Sequence, residues 1–444
     1  MSILGVEIRR SAALGAALIT VLAGVGALYV APARWSGGLM SLALVTREYL
    51  LLMWPLALAA GAWQGRREHR SNVAELFGTT ARPPVQRMLP VLGAMALTLG
   101  SAYLLVTVAG VARIATSAGY LPLLGFTVVT GVGVLSLIAA AWLGLGIGRL
   151  LPVPATAPAL GVAGVLFVSF SMFLRPEWLA AALSPIHGTS QFHAYQTIDN
   201  QVSGALAIWL ALLAVAGLVL FVGDSWRTRT AALVPVLLGL VGAVAVVPRD
   251  PAVLDAPVDP VAREMVCTED APTVCVSRVN ARVLDDLAPL ARDGLVALAK
   301  LPDAPTAVHE DTSTYGRDGE TPSRDDVVEV PVRIDKFGGL AHPDVVAVEV
   351  VRGLGVPVDI ECRQHHEAVD RAAAYWLLGR EPRSDVGLIP GMIQEDFELN
   401  AEALALWNGL REVSAEEALA RVTAVRDAKR ACEDTSELLS RSSR

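Results

Sequence analysis

The chain has 444 residues, of which 53% are hydrophobic and only 18% are charged, and its mean hydropathy is +0.48. Water-soluble globular proteins carry about 25% charged residues, so the composition excludes an ordinary soluble protein. The charge is divided along the chain: residues 1–250 hold 15 Arg, no Lys and 8 acidic residues, whereas residues 251–444 hold 21 basic and 36 acidic residues. The acidic second half argues against nucleic-acid binding, which needs clustered Lys and Arg.

Seven apolar stretches in the first half predict membrane-spanning helices, because roughly 20 apolar residues cross a hydrocarbon layer. Their interiors carry almost no charge, and none has an internal Asp, Glu or Lys of the kind expected in an ion-coupled carrier. We place the exception, Arg47 beside Glu48, at the outer membrane boundary, since a central Arg costs about 3 kcal/mol on insertion scales. The predicted spans are 11–31, 45–64, 88–112, 122–148, 154–174, 203–223 and 230–247.

The arginines between the spans predict the orientation. With the N-terminus in the cytoplasm, the inner connections hold ten Arg and the outer connections hold four, as the excess of positive charge on the inner side requires. An odd number of spans then places everything after Val247 outside. The chain is therefore expected to be a multi-pass plasma-membrane protein with an extracytoplasmic C-terminal domain.

All four cysteines, Cys267, Cys275, Cys362 and Cys432, lie in this outer part. Disulfides persist in oxidising compartments, so the cysteine positions agree with the predicted orientation. A local bridge between Cys267 and Cys275 is the natural one, and Cys362 with Cys432 would close a longer loop. Three pairings are open to four cysteines, and four free thiols are the alternative.

The patterns divide the chain into a transmembrane domain (1–248), a Pro-rich linker (249–262) and an extracytoplasmic domain (263–444). The last is expected to be α+β and mainly helical, because most of its apolar residues recur at helical spacing. Gly379 should end one helix, and Ser414 followed by Glu417 should begin another. The predicted elements are helices over 278–301, 365–379, 400–413 and 414–432 and a strand over 325–334.

The segment "HHEAVD" raises the question of a zinc site. A metallopeptidase helix has the pattern H-E-x-x-H, but the final position here is Asp370. His366 and Asp370 share a helix face and are the candidate ligands of an incomplete motif. We therefore expect no metal here, and a solvated helix face is the simpler interpretation.

The longest inner connection, residues 65–88, reads "GRREHRSNVAELFGTTARPPVQRM". Asn72 lies three residues before Glu75, a spacing typical of a capped helix start. Leu76 and Phe77 give that short helix an apolar edge, and Gly78 can end it. The surrounding arginines could anchor the loop to lipid headgroups, or the loop could dock a cytoplasmic partner.

Glu75, Gly78, Thr79 and the ending Pro84-Val-Gln-Arg87 occur in the order found in the coupling-helix loop of type-2 ABC transporter permeases, which this loop resembles. The segment 175–200, with its amphipathic "EWLAAAL", is similar to the outer hairpin of that family. The resemblance covers about residues 1–225, and the seventh span and the outer domain depart from the minimal family plan. It implies an ATPase-coupling loop made by Glu75, Leu76, Phe77, Gly78, Thr79 and Arg87, a separate ATPase subunit, and a homodimer or pseudo-dimer of permeases.

The chain itself has no G-x-x-x-x-G-K-[ST] phosphate loop. ATP is thus expected on the partner subunit, with no cofactor and no enzymatic activity on this chain. The expected function is that of the membrane subunit of an ABC-type export complex that moves an apolar or amphipathic substrate. One alternative is a membrane-anchored sensory or scaffold protein whose outer domain binds a ligand or cell-wall component, and another is a degenerate membrane-tethered metallopeptidase.

Overall fold

The computed structural model of the chain describes residues 5, 7–8, 12–70, 84–115, 118–186, 194–255, 257–313, 324–356, 366–384 and 393–440. The chain divides into two compact units. The first, here called the apolar helical unit, comprises Met1–Ala262, Thr314–Arg317 and Lys336–Gly338. The second, the C-terminal unit, comprises Arg263–Ser313, Asp318–Asp335 and Gly339–Arg444.

The apolar helical unit is built from helices joined mostly by short connections. Its helices are α1 (Ala13–Val30), α2 (Leu39–Glu48), α3 (Leu50–Gly65), α4 (Arg67–Arg70), α5 (Pro84–Ile114), α6 (Leu123–Leu150), α7 (Thr156–Ser171), α8 (Glu177–Leu183), α9 (Asn200–Val222), α10 (Trp226–Ala231), α11 (Leu233–Val246), α12 (Pro251–Asp255) and α13 (Pro260–Arg263).

Among the described residues, five helical segments are long and apolar enough to cross a membrane. Helices α2 and α3 meet at a bend of 48° and add a sixth candidate if the pair is one broken span. The seven predicted spans are not confirmed, because the stretch over 154–174 forms α7, which has 16 residues. At 1.5 Å per residue this helix is roughly 24 Å long, shorter than a hydrocarbon core of about 30 Å. The five segments are Ala13–Val30, Val85–Ile114, Leu123–Leu150, Asn200–Val222 and Trp226–Val246.

Helices α3 and α6 pack backbone to backbone along a seam of glycines. A Cβ built on Gly61 would overlap the carbonyl oxygen of Ala141, and one built on Gly144 would overlap that of Leu58. Gly65 and Gly148 repeat these contacts one turn further along each helix. The small-xxx-small spacing lets two membrane helices approach closely, so the seam holds α3 against α6.

The C-terminal unit contains one four-stranded sheet in the order β1-β2-β3-β4. Strand β1 is antiparallel to β2, whereas β2, β3 and β4 run parallel. The helices α14, α15, α16, α17 and α18 contribute to a hydrophobic core shared with the sheet. The elements are β1 (Met265–Cys267), β2 (Thr273–Ser277), α14 (Leu284–Leu298), β3 (Ala307–Glu310), β4 (Val327–Val330), α15 (Val346–Arg352), α16 (Glu367–Leu378), α17 (Ile393–Glu412) and α18 (Ala415–Arg430).

The local signals at two helix ends are confirmed. Gly379 follows α16 with φ +67°, a left-handed conformation that glycine adopts without steric cost. The Ser414 side chain accepts a hydrogen bond from the Glu417 amide at the start of α18. The helix predicted over 278–301 is shorter than expected: residues 278–283 form a 3-10 turn, and α14 begins only at Leu284.

Candidate functional site

Arg47 is the most unusual residue of the apolar helical unit. It lies in the last turn of α2, and its side chain has no solvent exposure. Its Nε donates a hydrogen bond of 2.9 Å to the carbonyl oxygen of Pro185. Within the described part of the chain, its Nη1 and Nη2 are buried and have no hydrogen-bond partner. The structure therefore encloses a cationic group whose donors are only partly satisfied.

This arrangement lowers the folding free energy that the unit gains, so a functional reason for it is expected. A buried charge loses its hydration, and the penalty that remains is several kcal/mol per ion when partners are missing. Ionisable groups inside membrane proteins are rare for this reason, and those that occur commonly mark the path of a substrate or ion. Arg47 is therefore the leading candidate for a functional residue in the described part of the unit.

Glu48, the acidic residue that follows Arg47 in the sequence, is paired with Arg34. Glu48 receives two hydrogen bonds from the Arg34 guanidinium, of 3.1 Å and 2.6 Å. The chain bends immediately afterwards, at Tyr49 between α2 and α3. Arg47 thus sits beside a break in a candidate span, and broken helices of this kind form binding sites in many transporters.

A second unsatisfied polar group belongs to the same neighbourhood. Tyr103 of α5 is completely buried, its hydroxyl has no hydrogen-bond partner among the described residues, and it interacts electrostatically with Arg47. The Tyr103 ring packs over Gly133 of α6, where a Cβ would overlap its hydroxyl. Helices α2, α5 and α6 pack against one another, and Tyr103 is buried in the same apolar core as Leu42 and Val45 of α2.

The face of α6 around Gly133 carries two more buried hydroxyls. Thr130 and Ser136 lie one turn before and one turn after Gly133, and neither hydroxyl has a hydrogen-bond partner in the part of the chain that the structure describes. Residues three apart share a helix face. Buried polar groups are almost always hydrogen-bonded in folded proteins, so this group of unsatisfied side chains calls for an explanation.

The C-terminal unit contains a separate buried acid, Glu310, at the end of β3. Its carboxylate accepts hydrogen bonds from the Ser277 amide (2.6 Å) and from the Asn280 side chain (2.7 Å). Burial raises the pKa of the Glu310 carboxyl above its ordinary value, and these two hydrogen bonds offset only part of that rise. The acid lies where parallel strands end, an edge at which α/β folds often place ligand sites.

The two candidate metal ligands have other contacts. The Asp370 carboxylate accepts a hydrogen bond of 2.5 Å from the buried Lys429 ammonium. His366 precedes α16, and its Nε2 lies 3.8 Å from a carboxylate oxygen of Glu402. The described residues contain no group of three or more His, Cys, Asp and Glu side chains placed to hold a metal ion.

The predicted local disulfide is present. Cys267 and Cys275 are bonded and face each other across β1 and β2. Cys432 is also disulfide-bonded, and its expected partner, Cys362, lies outside the described residues. No cysteine of the described chain is free.

The predicted coupling loop is largely outside the described residues, since Glu75, Leu76, Phe77, Gly78 and Thr79 all fall there. Arg87 is described and lies in the first turn of α5. Before the loop, Arg66 stacks 5.9 Å from the Trp63 ring, and Arg67 pairs with Glu7. The role of the loop therefore rests on its sequence.

Arg47 was expected at a membrane boundary, and no sequence pattern pointed to Tyr103. The available signal was an Arg inside an apolar stretch, but its contact with Pro185 spans 138 residues and could not be read from the pattern. Comparison of the chain with protein-family models, curated proteins and solved structures found no match.

Proposed function

We propose that this chain is the membrane subunit of an ABC-type export complex and that a separate ATPase chain supplies the energy. The observation that carries the proposal is the broken span α2–α3 with Arg47 buried beside its break. A protein that only anchors another domain needs neither a broken span nor a buried charge. In many transporters, broken helices and buried charged residues form the substrate site.

The sequence of the 65–88 loop supplies the link to an ATPase. A coupling helix has to present an apolar edge to a groove on its partner, and Leu76 with Phe77 provides one. Glu75 would pair with a basic group of the ATPase. With seven spans, the N-terminus is cytoplasmic and the C-terminal unit is extracytoplasmic. We further propose that the permease works as a homodimer or pseudo-dimer.

A membrane-anchored sensor or scaffold is the second candidate. The observation that favours it is that the C-terminal unit has a hydrophobic core of its own and a buried acid at a strand end. Such a protein would bind its ligand through this unit and would need no ATPase. The metallopeptidase alternative has less support, because the Asp370 carboxylate is paired with Lys429.

Co-purification distinguishes the ABC membrane subunit from the membrane-anchored sensor or scaffold. The full chain, purified from its native host in mild detergent, should bring an ATPase with it. Phe77→Ala and Glu75→Arg should release that ATPase while the permease stays folded in the membrane, because a fully buried Phe contributes about 1.5–3 kcal/mol.

The control is the combined replacement of Arg66, Arg67 and Arg70 by Gln. If the loop only anchors to headgroups, this control should weaken membrane attachment more than the Phe77 and Glu75 variants do. An ATPase that stays bound to both single variants would count against the transporter interpretation of the loop.

A further inference from the structure

We propose that Arg47 and Tyr103 bind the anionic group, a phosphate or a carboxylate, of an amphipathic molecule inside the apolar helical unit. The inference deepens the proposed transport function, on which it rests, by naming the chemical class of the substrate. Its starting point is the set of buried, unsatisfied donors that α2 and α5 carry.

The Arg47 guanidinium is suited to bind an anion with two oxygen atoms. Nε is used by the Pro185 carbonyl, whereas Nη1 and Nη2 have no partner within the described residues. The two terminal nitrogens of an Arg form a planar fork that matches two oxygens of a carboxylate or phosphate. Only an anion satisfies this fork and also compensates the buried positive charge.

An internal carboxylate does not fill this role in the described structure. Glu48 is adjacent in sequence, but both of its carboxylate oxygens accept hydrogen bonds from Arg34. Within the described residues the Arg47 guanidinium has no carboxylate partner, and we take the complementary charge to come from a bound molecule.

Tyr103 adds a second donor. Its hydroxyl is buried, is unpartnered among the described residues and lies within electrostatic range of Arg47. A neutral hydroxyl cannot pair with the guanidinium as an anion would, but it can donate to an oxygen that the guanidinium also binds. Gly133 leaves the space into which this ring and its hydroxyl fit.

The surroundings favour an amphiphile over a free inorganic anion. Leu42, Val45 and Leu50, which flank Arg47 in the sequence, are all buried in the apolar core. A free phosphate would have to lose its hydration without any compensating apolar contact. An amphiphile carries an alkyl chain whose burial among apolar side chains offsets that loss.

The test measures binding of dodecyl phosphate to the full-length protein in dodecyl maltoside, with 1-dodecanol as the uncharged probe of the same chain length and inorganic phosphate as the third. Wild type should bind dodecyl phosphate most tightly. Arg47→Gln should weaken that binding about tenfold to a hundredfold, since hydrogen bonds to charged groups are of this strength. Arg47→Lys should retain part of it, because the charge stays and the fork is lost.

Two further variants keep the result interpretable if Arg47→Gln does not fold. Tyr103→Phe retains the ring and should weaken binding several-fold. Glu48→Gln changes the charge of the adjacent residue, which is paired with Arg34, and should leave the affinity for dodecyl phosphate unchanged.

Equal affinity of wild type for dodecyl phosphate and 1-dodecanol would overturn the proposal, as would unchanged binding in a folded Arg47→Gln or in Tyr103→Phe. Binding of inorganic phosphate as tight as that of dodecyl phosphate would overturn the amphipathic part. The measurement needs no ATPase, so a failure of the co-purification test and a failure of this one are distinguishable.

Discussion

Two buried ionisable residues, one in each unit, behave differently because their surroundings differ. Glu310 is surrounded by donors that satisfy its carboxylate, the Ser277 amide and the Asn280 side chain. Arg47 has a single carbonyl partner and two terminal nitrogens without any in the described structure. The first arrangement is that of a residue satisfied within the fold, and the second is the one for which we propose a bound ligand.

Glu310 makes stability depend on pH. Burial raises the pKa of its carboxyl in the folded protein, so folding favours the protonated form. This contribution is fully present below the unfolded pKa and is lost as the pH rises through the raised folded pKa. The melting temperature of wild type relative to Glu310→Gln should therefore fall as the pH rises from below the ordinary pKa of a Glu carboxyl to above it, as measured by calorimetry of the full chain in detergent.

The control for this titration is Glu433→Gln, because Glu433 is exposed. Its melting temperature should stay parallel to that of wild type over the same range. A difference between wild type and Glu310→Gln that does not change with pH would contradict the assignment.

Single elements are held in place by features that act over a few residues. The seam between α3 and α6 depends on glycines that face a backbone carbonyl, as Gly144 faces Leu58. The edge strand β1 is tied to β2 by a disulfide between directly opposite residues. In both places a single substitution should therefore reduce the stability with which the whole helix or strand is packed.

Gly144→Ala should separate α3 from α6, because the new Cβ meets the Leu58 carbonyl oxygen and backbone cannot move aside as a side chain can. Overpacking of this kind costs typically about 1–3 kcal/mol. The melting temperature in detergent should fall.

Gly131→Ala is the matched control on the same helix, since nothing lies within 4 Å of a Cβ there. It should leave the stability unchanged or slightly higher. Equal effects of the two substitutions would show that the seam is not tightly packed.

Cys267→Ser should lower the free energy of unfolding of the C-terminal unit by roughly 2–3 kcal/mol, the value expected for a short closed loop. Cys362→Ser should have a larger effect if that cysteine closes the longer loop. Thermal unfolding with and without reductant measures both, and a wild-type melting temperature that ignores reductant would argue against any stabilising bridge.

At the scale of the whole molecule, the chain joins an apolar helical unit to a C-terminal unit with its own core. The arginine distribution and an odd number of spans predict that the second unit is extracytoplasmic. The structure has five or six candidate spans among its described residues, so the parity depends on whether the α2–α3 pair and α7 each cross the membrane.

Labelling of intact cells decides the orientation. After reduction, a membrane-impermeant maleimide should modify Cys267 and Cys432, which are both exposed. Ser71→Cys in a cysteine-free chain is the control for the inner side and should react only after lysis. Labelling of Cys267 and Cys432 only after lysis would contradict the seven-span topology.

Properties that depend on neighbouring residues could be predicted from the sequence. The length of an apolar run indicates whether a helix can cross a membrane, and the membrane character of residues 13–65 and 85–150 follows from it. The ends of α16 and α18 follow from Gly379 and Ser414, whose effects are confined to one helical turn. The Cys267–Cys275 bridge follows from its short spacing.

Contacts between distant residues could not be predicted in this way, and they define the candidate site. A hydropathy pattern shows that Arg47 is charged but not that Pro185 accepts its hydrogen bond or that Tyr103 is buried in the same core as the sequence neighbours of Arg47. The sequence shows that Gly61 and Gly144 are small, but only the packing of α3 against α6 shows that each faces a backbone carbonyl of the other helix. The sequence by itself determined the apolar character, the local helix ends and the short disulfide, because each depends on residues close along the chain. Only the tertiary structure decided which polar groups are buried, because burial depends on helices that are far apart in sequence.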